Sequence, residues 1–212
     1  AYAVLVNGVS NFRMVNNTIT YTGKTDGNCI NNAVRIIDSS SVAIRNNAFM
    51  LSLVSAYVPL VEEPEGSDNW VSQTVSEGIV VSYSRDIGFE DNIVVINYND
   101  VAGSYYTIYG VSVRNSDNAR ITGNIISAMG HNYIYALYVC GNEFGIYDNE
   151  ITAESDINYA CAINVEGPGY GLIEYNNIHA KAPSSAYAVY SNNNEVTVSY
   201  VSNTITAEGF FI

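Results

Sequence analysis

Three acidic residues occupy comparable places in a repeated sequence pattern and could supply acid–base chemistry. Asp91 and Asp148 each directly precede an asparagine of that pattern, and Glu174 precedes another by two positions. Glycoside hydrolysis requires two carboxyl groups about 5 to 9 Å apart. Gly123 takes the corresponding place between Asp91 and Asp148, so these acids lie roughly 10 Å apart if consecutive repeats pair as β-strands. We therefore expect separate surface carboxylates, with a polysaccharide-cleaving site as the alternative.

More acidic residues lie in an insertion at residues 50–75, where the repeat pattern is interrupted for longest. The insertion contains Glu62, Glu63, Glu65 and Asp68 and the only tryptophan, Trp70. Carboxylate oxygens are the ligands that Ca²⁺ prefers, and inserted loops of repeat proteins commonly carry binding functions. Either this loop holds a cation or contacts a partner, or it packs against the repeats with Trp70 over apolar surface. Ca²⁺ is the only cofactor that the sequence suggests.

Tyrosine is the third residue type with binding chemistry, since its ring face and hydroxyl can bind sugars. A second loop, from Asn97 to Tyr109, carries Tyr98, Tyr105 and Tyr106. Two positions of the repeat also hold several tyrosines, the first Tyr109, Tyr135 and Tyr187, the second Tyr138 and Tyr190.

Strand alternation directs Tyr138 and Tyr190 outward. The candidate ligand-binding residues are Trp70, Tyr105, Tyr106, Tyr138 and Tyr190. Because stacked tyrosines also stabilise neighbouring strands, a purely structural role stays open.

The element that must position these side chains is a unit that recurs seven times. Its most regular member is an asparagine three residues after one apolar or aromatic side chain and two before another. Twelve to fourteen residues upstream, a small residue is followed by an aliphatic one. We interpret the asparagines as structural, because asparagine tolerates the left-handed backbone of a tight bend and stacked amides can hydrogen-bond to each other. They are Asn17, Asn47, Asn92, Asn124, Asn149, Asn176 and Asn203.

Each unit has the pattern of three short strands separated by turns. Residues 136–139, 144–147 and 151–153 alternate with period two, and Gly, Asn and Ser interrupt every window in which a helix could form. One unit cannot bury its inward face, so we predict that seven coils stack by parallel pairing into one solenoid domain over residues 1–212. Neither end has a polar capping repeat, which favours a segment of a longer chain.

Composition narrows the classes of partner. The net charge is −13, whereas binding of nucleic acid requires clustered Lys and Arg. No apolar run is long enough to span a membrane. Cys140 and Cys161 take different positions in the unit, so free thiols are favoured for them and Cys29 over a disulfide. His131 and His179 lie at outward or turn positions and receive no catalytic role.

The repeat also carries a family resemblance. Segments such as Tyr187-Ala188-Val189-Tyr190-Ser191 and residues 201–206 resemble the repeats of the pectate-lyase-like superfamily, and more narrowly those of adhesin-like surface proteins of methanogenic archaea. The resemblance covers nearly the whole chain. It implies an all-β, single-stranded right-handed parallel β-helix of about seven coils, located outside the cell or on its surface. The Asn-Thr-Asp, Asp-Asp and Gly-His-Gly motifs of the polygalacturonase branch do not occur here.

We therefore expect a non-enzymatic, adhesin-like cell-surface module that acts as a rigid stalk or binding segment. Its expected partners are glycans or surface proteins of another cell. The alternative is a polysaccharide lyase or glycoside hydrolase with Asp91, Asp148 and Glu174 on one outer face. The sequence leaves the oligomeric state open.

Overall fold

The computed structural model describes residues 2–25, 32–55, 74–99, 106–191 and 196–209. These residues form twenty β-strands, and no helix occurs among them. The all-β prediction is confirmed. The strands fall into three sets according to their place in the sequence repeat.

The first set contains β1 (Tyr2–Asn7), β4 (Asn32–Ile37), β7 (Thr74–Ser82), β10 (Tyr106–Thr122), β12 (Tyr133–Gly141), β15 (Tyr159–Glu166) and β18 (Ser185–Ser191). The second set contains β2 (Arg13–Val15), β5 (Ser40–Arg45), β8 (Arg85–Glu90), the end of β10, β13 (Glu143–Tyr147), β16 (Gly169–Glu174) and β19 (Val196–Val201). The third set contains β3 (Thr18–Thr25), β6 (Ala48–Ser55), β9 (Ile93–Asn99), β11 (Ile125–Gly130), β14 (Glu150–Ser155), β17 (Asn177–Ala182) and β20 (Thr204–Gly209).

Every strand pairs in parallel with the equivalent strand of the next repeat. The aliphatic residue of the repeat marks the register in the first set, where Val111 pairs with Ile79 on one side and Leu137 on the other. Because β10 runs on from the first set into the second, these two sets form one sheet of 13 strands, and the third set forms a sheet of seven. Parallel pairing of equivalent strands is thus confirmed.

Alternating side chains of all three sets form one hydrophobic core. Phe49 and Phe89 are the bulkiest fully buried side chains, and columns of Ile, Val and Leu surround them. Burial of each such side chain contributes roughly 1.5 to 3 kcal/mol. Side chains on the other side of each strand are therefore fixed in columns that run along the stack.

The seven asparagines form a continuous hydrogen-bonded ladder, as predicted. Asn124 is typical, because its Oδ1 accepts from both the backbone N and the Nδ2 of Asn92, at 2.9 and 3.0 Å. Its own Nδ2 donates to Asn149 Oδ1 at 2.9 Å and to Phe89 O at 2.8 Å. The five inner asparagines are nearly inaccessible to solvent, so these amides tie the repeats together and are closed to a ligand.

The left-handed residue of this turn is not the ladder asparagine but the residue before it. That preceding residue has a φ between 51° and 67° in every repeat, and these residues are Asn16, Asn46, Asp91, Gly123, Asp148, Tyr175 and Ser202. The expectation that the ladder asparagines adopt this conformation was wrong. Their identity follows instead from their hydrogen bonds, which need an amide donor and acceptor on one side chain.

A shorter serine ladder supports the turn between the first and second sets, and sequence analysis did not identify it. Ser84 Oγ accepts from Ser39 N at 3.1 Å, and Ser116 Oγ accepts from Ser84 N at 3.2 Å. Each of these hydroxyls donates back to the carbonyl two residues earlier. In the middle repeats, hydrogen-bonded ladders therefore stabilise two of the turns between strands.

The predicted loop from Asn97 to Tyr109 was wrong at both ends. Asn97–Asn99 belong to β9, and Tyr106–Tyr109 belong to β10. Tyr98 is a core residue, 3% exposed, because it continues the inward alternation of Val94 and Ile96. Tyr105 lies outside the described residues, as does the side chain of Tyr106.

The insertion predicted at residues 50–75 overlaps regular structure at its edges. Residues 50–55 continue β6, and residues 74–75 begin β7. Residues 56–73 lie outside the described part of the chain. This interval includes every candidate of the acidic insertion, namely Glu62, Glu63, Glu65, Asp68 and Trp70.

Candidate functional site

Tyrosine side chains gather on the outer face of the first strand set, in the last four repeats. We call this surface the tyrosine face. It comprises Tyr109, Tyr133, Tyr135, Tyr138, Tyr159, Tyr187 and Tyr190. Tyr109 and Tyr135 are direct strand partners, and Tyr138 and Tyr190 flank Asn164 in the same column. The shared positions predicted from the repeat are confirmed.

The small residue of the repeat explains why two tyrosine columns share one face. In β12, Tyr135 and Tyr138 are half-buried, whereas Ala136 and Leu137 between them are fully buried. In β10, a Cβ placed on Gly110 would lie 2.4 Å from the carbonyl oxygen of Ala136. Only a small residue fits at this position, because the backbones of neighbouring repeats approach each other closely there. The two consecutive buried residues interrupt the alternation, so Tyr135 and Tyr138, which are three residues apart, lie on the same face.

The rings form a continuous network. Tyr109 stacks on Tyr135 with centroids 4.9 Å apart, and Tyr135 lies 5.4 Å from Tyr159. Tyr159 is 5.4 Å from Tyr187, which meets Tyr190 edge-on at 5.3 Å. Such contacts contribute about 0.5 to 1.5 kcal/mol each beyond burial. The result is a strip of partly exposed aromatic surface that follows the stacking direction.

Charged groups are embedded at one side of this strip. The Arg114 guanidinium lies over the rings of Tyr109 and Tyr138, at 4.8 and 4.9 Å from their centroids. Its Nη2 is 2.6 Å from Glu77 Oε1, and its Nε donates to Ser112 Oγ at 2.7 Å. Arg114 therefore fixes the two rings while its charge is balanced by Glu77.

A second polar group lies further along the strip. The Tyr138 hydroxyl donates to Glu166 Oε2 at 2.8 Å, and Asn164 Nδ2 donates to Glu166 Oε1 at 3.1 Å. Asn164 is only 3% exposed. The tyrosine face thus combines apolar ring surface with fixed hydrogen-bond acceptors, the combination that small-molecule and sugar sites use.

Burial keeps the phenol groups of the face and the thiol of Cys161 neutral. It raises the pKa values of Tyr109, Tyr135, Tyr138 and Tyr159 above the ordinary 10.0, and the hydrogen bond to Glu166 raises that of Tyr138 further. Burial also raises the pKa of the Cys161 thiol from 9.0 to about 12, although hydrogen bonding with Tyr159 opposes this shift. At neutral pH the face therefore presents phenol groups rather than phenolates, and the buried Cys161 beneath them stays a thiol.

We expect Cys161 in the folded protein to resist alkylation by iodoacetamide at about pH 8. The thiolate is the reacting species, and a pKa near 12 instead of 9.0 lowers its fraction about a thousandfold. Mass spectrometry of the Cys161 peptide after timed labelling measures the rate, with the urea-unfolded chain as the control. Equal rates in the folded and unfolded protein would contradict the burial of this thiol.

We also expect the melting temperature to fall as the pH rises above about 9. The folded state holds the protons of these tyrosines and of Cys161 more tightly than the unfolded chain does. Their contribution is complete below the unfolded pKa values of 9.0 and 10.0 and is lost progressively at higher pH. Thermal unfolding followed by circular dichroism between about pH 7 and pH 11 tests this; a constant melting temperature would refute it.

The remaining predicted candidates occupy other surfaces. Asp91 and Asp148 lie at the left-handed position of the ladder turn, with Gly123 on the repeat between them. Asp91 Oδ1 covers Gly123, since a Cβ there would lie 2.4 Å from it. Glu174 lies on the repeat next to Asp148, whose backbone N donates to the Glu174 carbonyl at 3.1 Å. No group of three His, Cys, Asp or Glu residues suited to a metal ion occurs among the residues that the structure describes.

The cysteines and histidines add no further site to the described surface. Cys140 and Cys161 are free thiols, as predicted, whereas Cys29 lies outside the described residues. His131 Nδ1 is 3.2 Å from Asp156 Oδ2 in the turn before β12. His179 lies in the third strand set, opposite Thr152 and Thr206. Within the described ranges, no helix is long and apolar enough to cross a membrane.

Sequence analysis missed several members of the tyrosine face. Tyr133 and Tyr159 share a position four residues before the aliphatic marker, a signal that the repeat register would have given. Arg114, Cys140 and Glu166 likewise form one column. Glu77 and Asn164 carried no signal in the sequence, because their columns hold unlike residues in neighbouring repeats.

Comparison with known proteins adds no relative. No protein-family model, no curated protein and no solved structure matches this chain.

Proposed function

We propose that this chain is a right-handed parallel β-helix module of an adhesin-like cell-surface protein, and that its tyrosine face binds glycans. Three strand sets with one-to-one parallel pairing and a continuous asparagine ladder support the β-helix. The surface location rests on the resemblance of the repeats. In this proposal the module is a rigid support, and the chemistry that it performs is non-covalent binding.

The single observation that carries the binding proposal is the strip of seven contacting tyrosines. Core packing does not account for these rings, since each remains partly exposed on the outer face. Aromatic faces bind the apolar faces of sugar rings, and phenol hydroxyls bind sugar hydroxyls. Because the strip follows the stacking direction over four repeats, it suits an extended oligosaccharide better than a single sugar.

The charge of the surface also favours glycans over other ligands. A net charge of −13 disfavours nucleic acids and other polyanions. Among the described residues, the cation embedded in the face is Arg114, and it is already paired with Glu77. Binding must then come mainly from ring surface and hydrogen bonds.

A glycan microarray with matched variants tests the proposal. The double variant Tyr135→Ala/Tyr159→Ala removes the centre of the strip, whereas Tyr170→Ala removes a 50% exposed ring from the second strand set. We expect wild type and Tyr170→Ala to bind the same glycans and the double variant to lose at least about tenfold in affinity, since aromatic anchors dominate such sites. Circular dichroism confirms that each variant is folded.

Two outcomes would overturn this function. If no glycan binds to folded wild type, or if the double variant binds unchanged, the tyrosine face is not a glycan site. Release of shorter products from a polysaccharide, abolished by Asp148→Asn or Glu174→Gln, would instead support the enzymatic alternative.

A further inference from the structure

Glu166 is an acid of the tyrosine face that has no counter-ion among the described residues. Its two carboxylate oxygens accept hydrogen bonds from Tyr138 and Asn164. Among the residues that the structure describes, no Lys, Arg or His forms an ion pair with it; Arg114, two repeats away in the same column, pairs with Glu77. A carboxylate oxygen can accept about two hydrogen bonds, so Glu166 is held in place with acceptor capacity remaining.

Asn164 provides a second, independent sign of a missing donor. The residue is only 3% exposed, and its side-chain Oδ1 is buried without a hydrogen-bond partner in the described part of the chain. Buried acceptors are nearly always paired, because leaving one unpaired is costly. The neighbours of Asn164 in its column are Tyr138 and Tyr190, so the unpaired oxygen lies within the aromatic strip.

We infer that Asn164 and Glu166 form a subsite for the protonated amino group of an amino sugar. An ammonium group has three donors and no acceptor, which matches the two carboxylate oxygens and the amide oxygen. Tyrosine faces attract cations as well. The inference rests on the proposed glycan-binding function and specifies its ligand class.

The surroundings of the pair favour a sugar over a simple amine. Tyr138 and Tyr190 stand two repeats apart on either side of Asn164, a spacing of roughly 10 Å. Tyr138 and Tyr190 make edge-on ring contacts with Tyr109 and Tyr187, respectively. The exposed ring surface on either side of the pair can contact a sugar ring, whereas a simple amine uses only the polar groups. Since Asn164 Oδ1 is shielded from solvent, the side chains around it must shift on binding.

Isothermal titration calorimetry with ligands of graded charge tests this subsite. The probes are the hexasaccharides of glucosamine, N-acetylglucosamine and galacturonate, together with the diamine cadaverine. We expect the glucosamine hexasaccharide to bind at least about tenfold more tightly than the N-acetylated hexasaccharide, which lacks the charge-assisted hydrogen bond. It should also bind at least about tenfold more tightly than cadaverine, which lacks the ring contacts. The galacturonate hexasaccharide should show no binding.

Matched charge variants localise the effect. Glu166→Gln keeps the shape of the side chain and should reduce glucosamine binding about tenfold or more. Glu150→Gln removes the same charge from the third strand set and should change affinity less than about twofold. The wild-type ligand series decides the question even if Glu166→Gln fails to fold.

The outcomes separate this inference from the proposed function. Equal or tighter binding of the N-acetylated hexasaccharide, equal effects of the two Gln variants, or cadaverine binding as tight as the amino sugar would each overturn the amino-sugar subsite while glycan binding stands. If none of the hexasaccharides binds to the folded protein, the subsite and the proposed glycan-binding function both fail.

Discussion

Replacing Asn124 with alanine is expected to lower the free energy of unfolding by about 3 to 5 kcal/mol. Oδ1 of this side chain accepts two hydrogen bonds, and the two hydrogens of Nδ2 are shared among three acceptor oxygens, those of Phe89, Thr122 and Asn149. Its loss leaves the backbone N of Asn92 and the carbonyl of Phe89 without these partners, and both lie inside the stack. Urea unfolding followed by circular dichroism measures the change.

The first rung of the ladder is the matched control for this experiment. Asn17 is exposed and donates to Asn47 Oδ1 and Val15 O, so Asn17→Ala should cost no more than about 1 kcal/mol. A small effect of both substitutions would show that the ladder is a consequence of the stacking rather than one of its causes.

The substitution Arg114→Met is expected to destabilise the protein by about 2 to 3 kcal/mol. It leaves the Glu77 carboxylate, which is 11% exposed, without its counter-ion, and it removes the cation from above Tyr109 and Tyr138. Complete loss of one partner from a buried pair costs about 3 to 5 kcal/mol; the 34% exposure of Arg114 reduces that value. The measurement is again the unfolding free energy in urea.

A double variant separates the two contributions of Arg114. Glu77→Gln combined with Arg114→Met removes both charges, so most of the lost stability should return. The stability that the double variant still lacks relative to wild type measures the lost contact of Arg114 with the two rings. If the double variant is as unstable as Arg114→Met alone, the unpaired Glu77 charge is not the cause.

The stacking of equivalent residues could be predicted from the sequence because it depends on one strict spacing. Once the asparagines fix the register, the columns that hold Tyr109 and Tyr135, or Tyr138 and Tyr190, follow. The conformation of the ladder turn could not be predicted in the same way. Tyr175 and Ser202 adopt the left-handed region there although neither residue type prefers it. The stacking of the repeats therefore imposes a conformation that the residue types alone do not indicate.

Errors arose where the repeat was interrupted. Tyr98 was placed in a loop because residues 100–105 break the pattern, although its alternation with Ile96 already indicated the core.

The polar part of the tyrosine face could not be predicted for a different reason. Glu77, Arg114 and Glu166 come from three different repeats, and only their side-chain contacts show that one cation is neutralised and one acid is not.

The most direct test of the glycan-binding face is an NMR titration of protein with isotope-labelled tyrosine rings, using the hexasaccharide that binds most tightly. The account predicts that signals of the tyrosine face, such as those of Tyr135, Tyr138 and Tyr159, shift on binding. Signals of Tyr98 in the core and of Tyr147 and Tyr170 in the second strand set should stay in place. Shifts confined to Tyr147 and Tyr170, or no shift on the tyrosine face at saturating ligand, would contradict it.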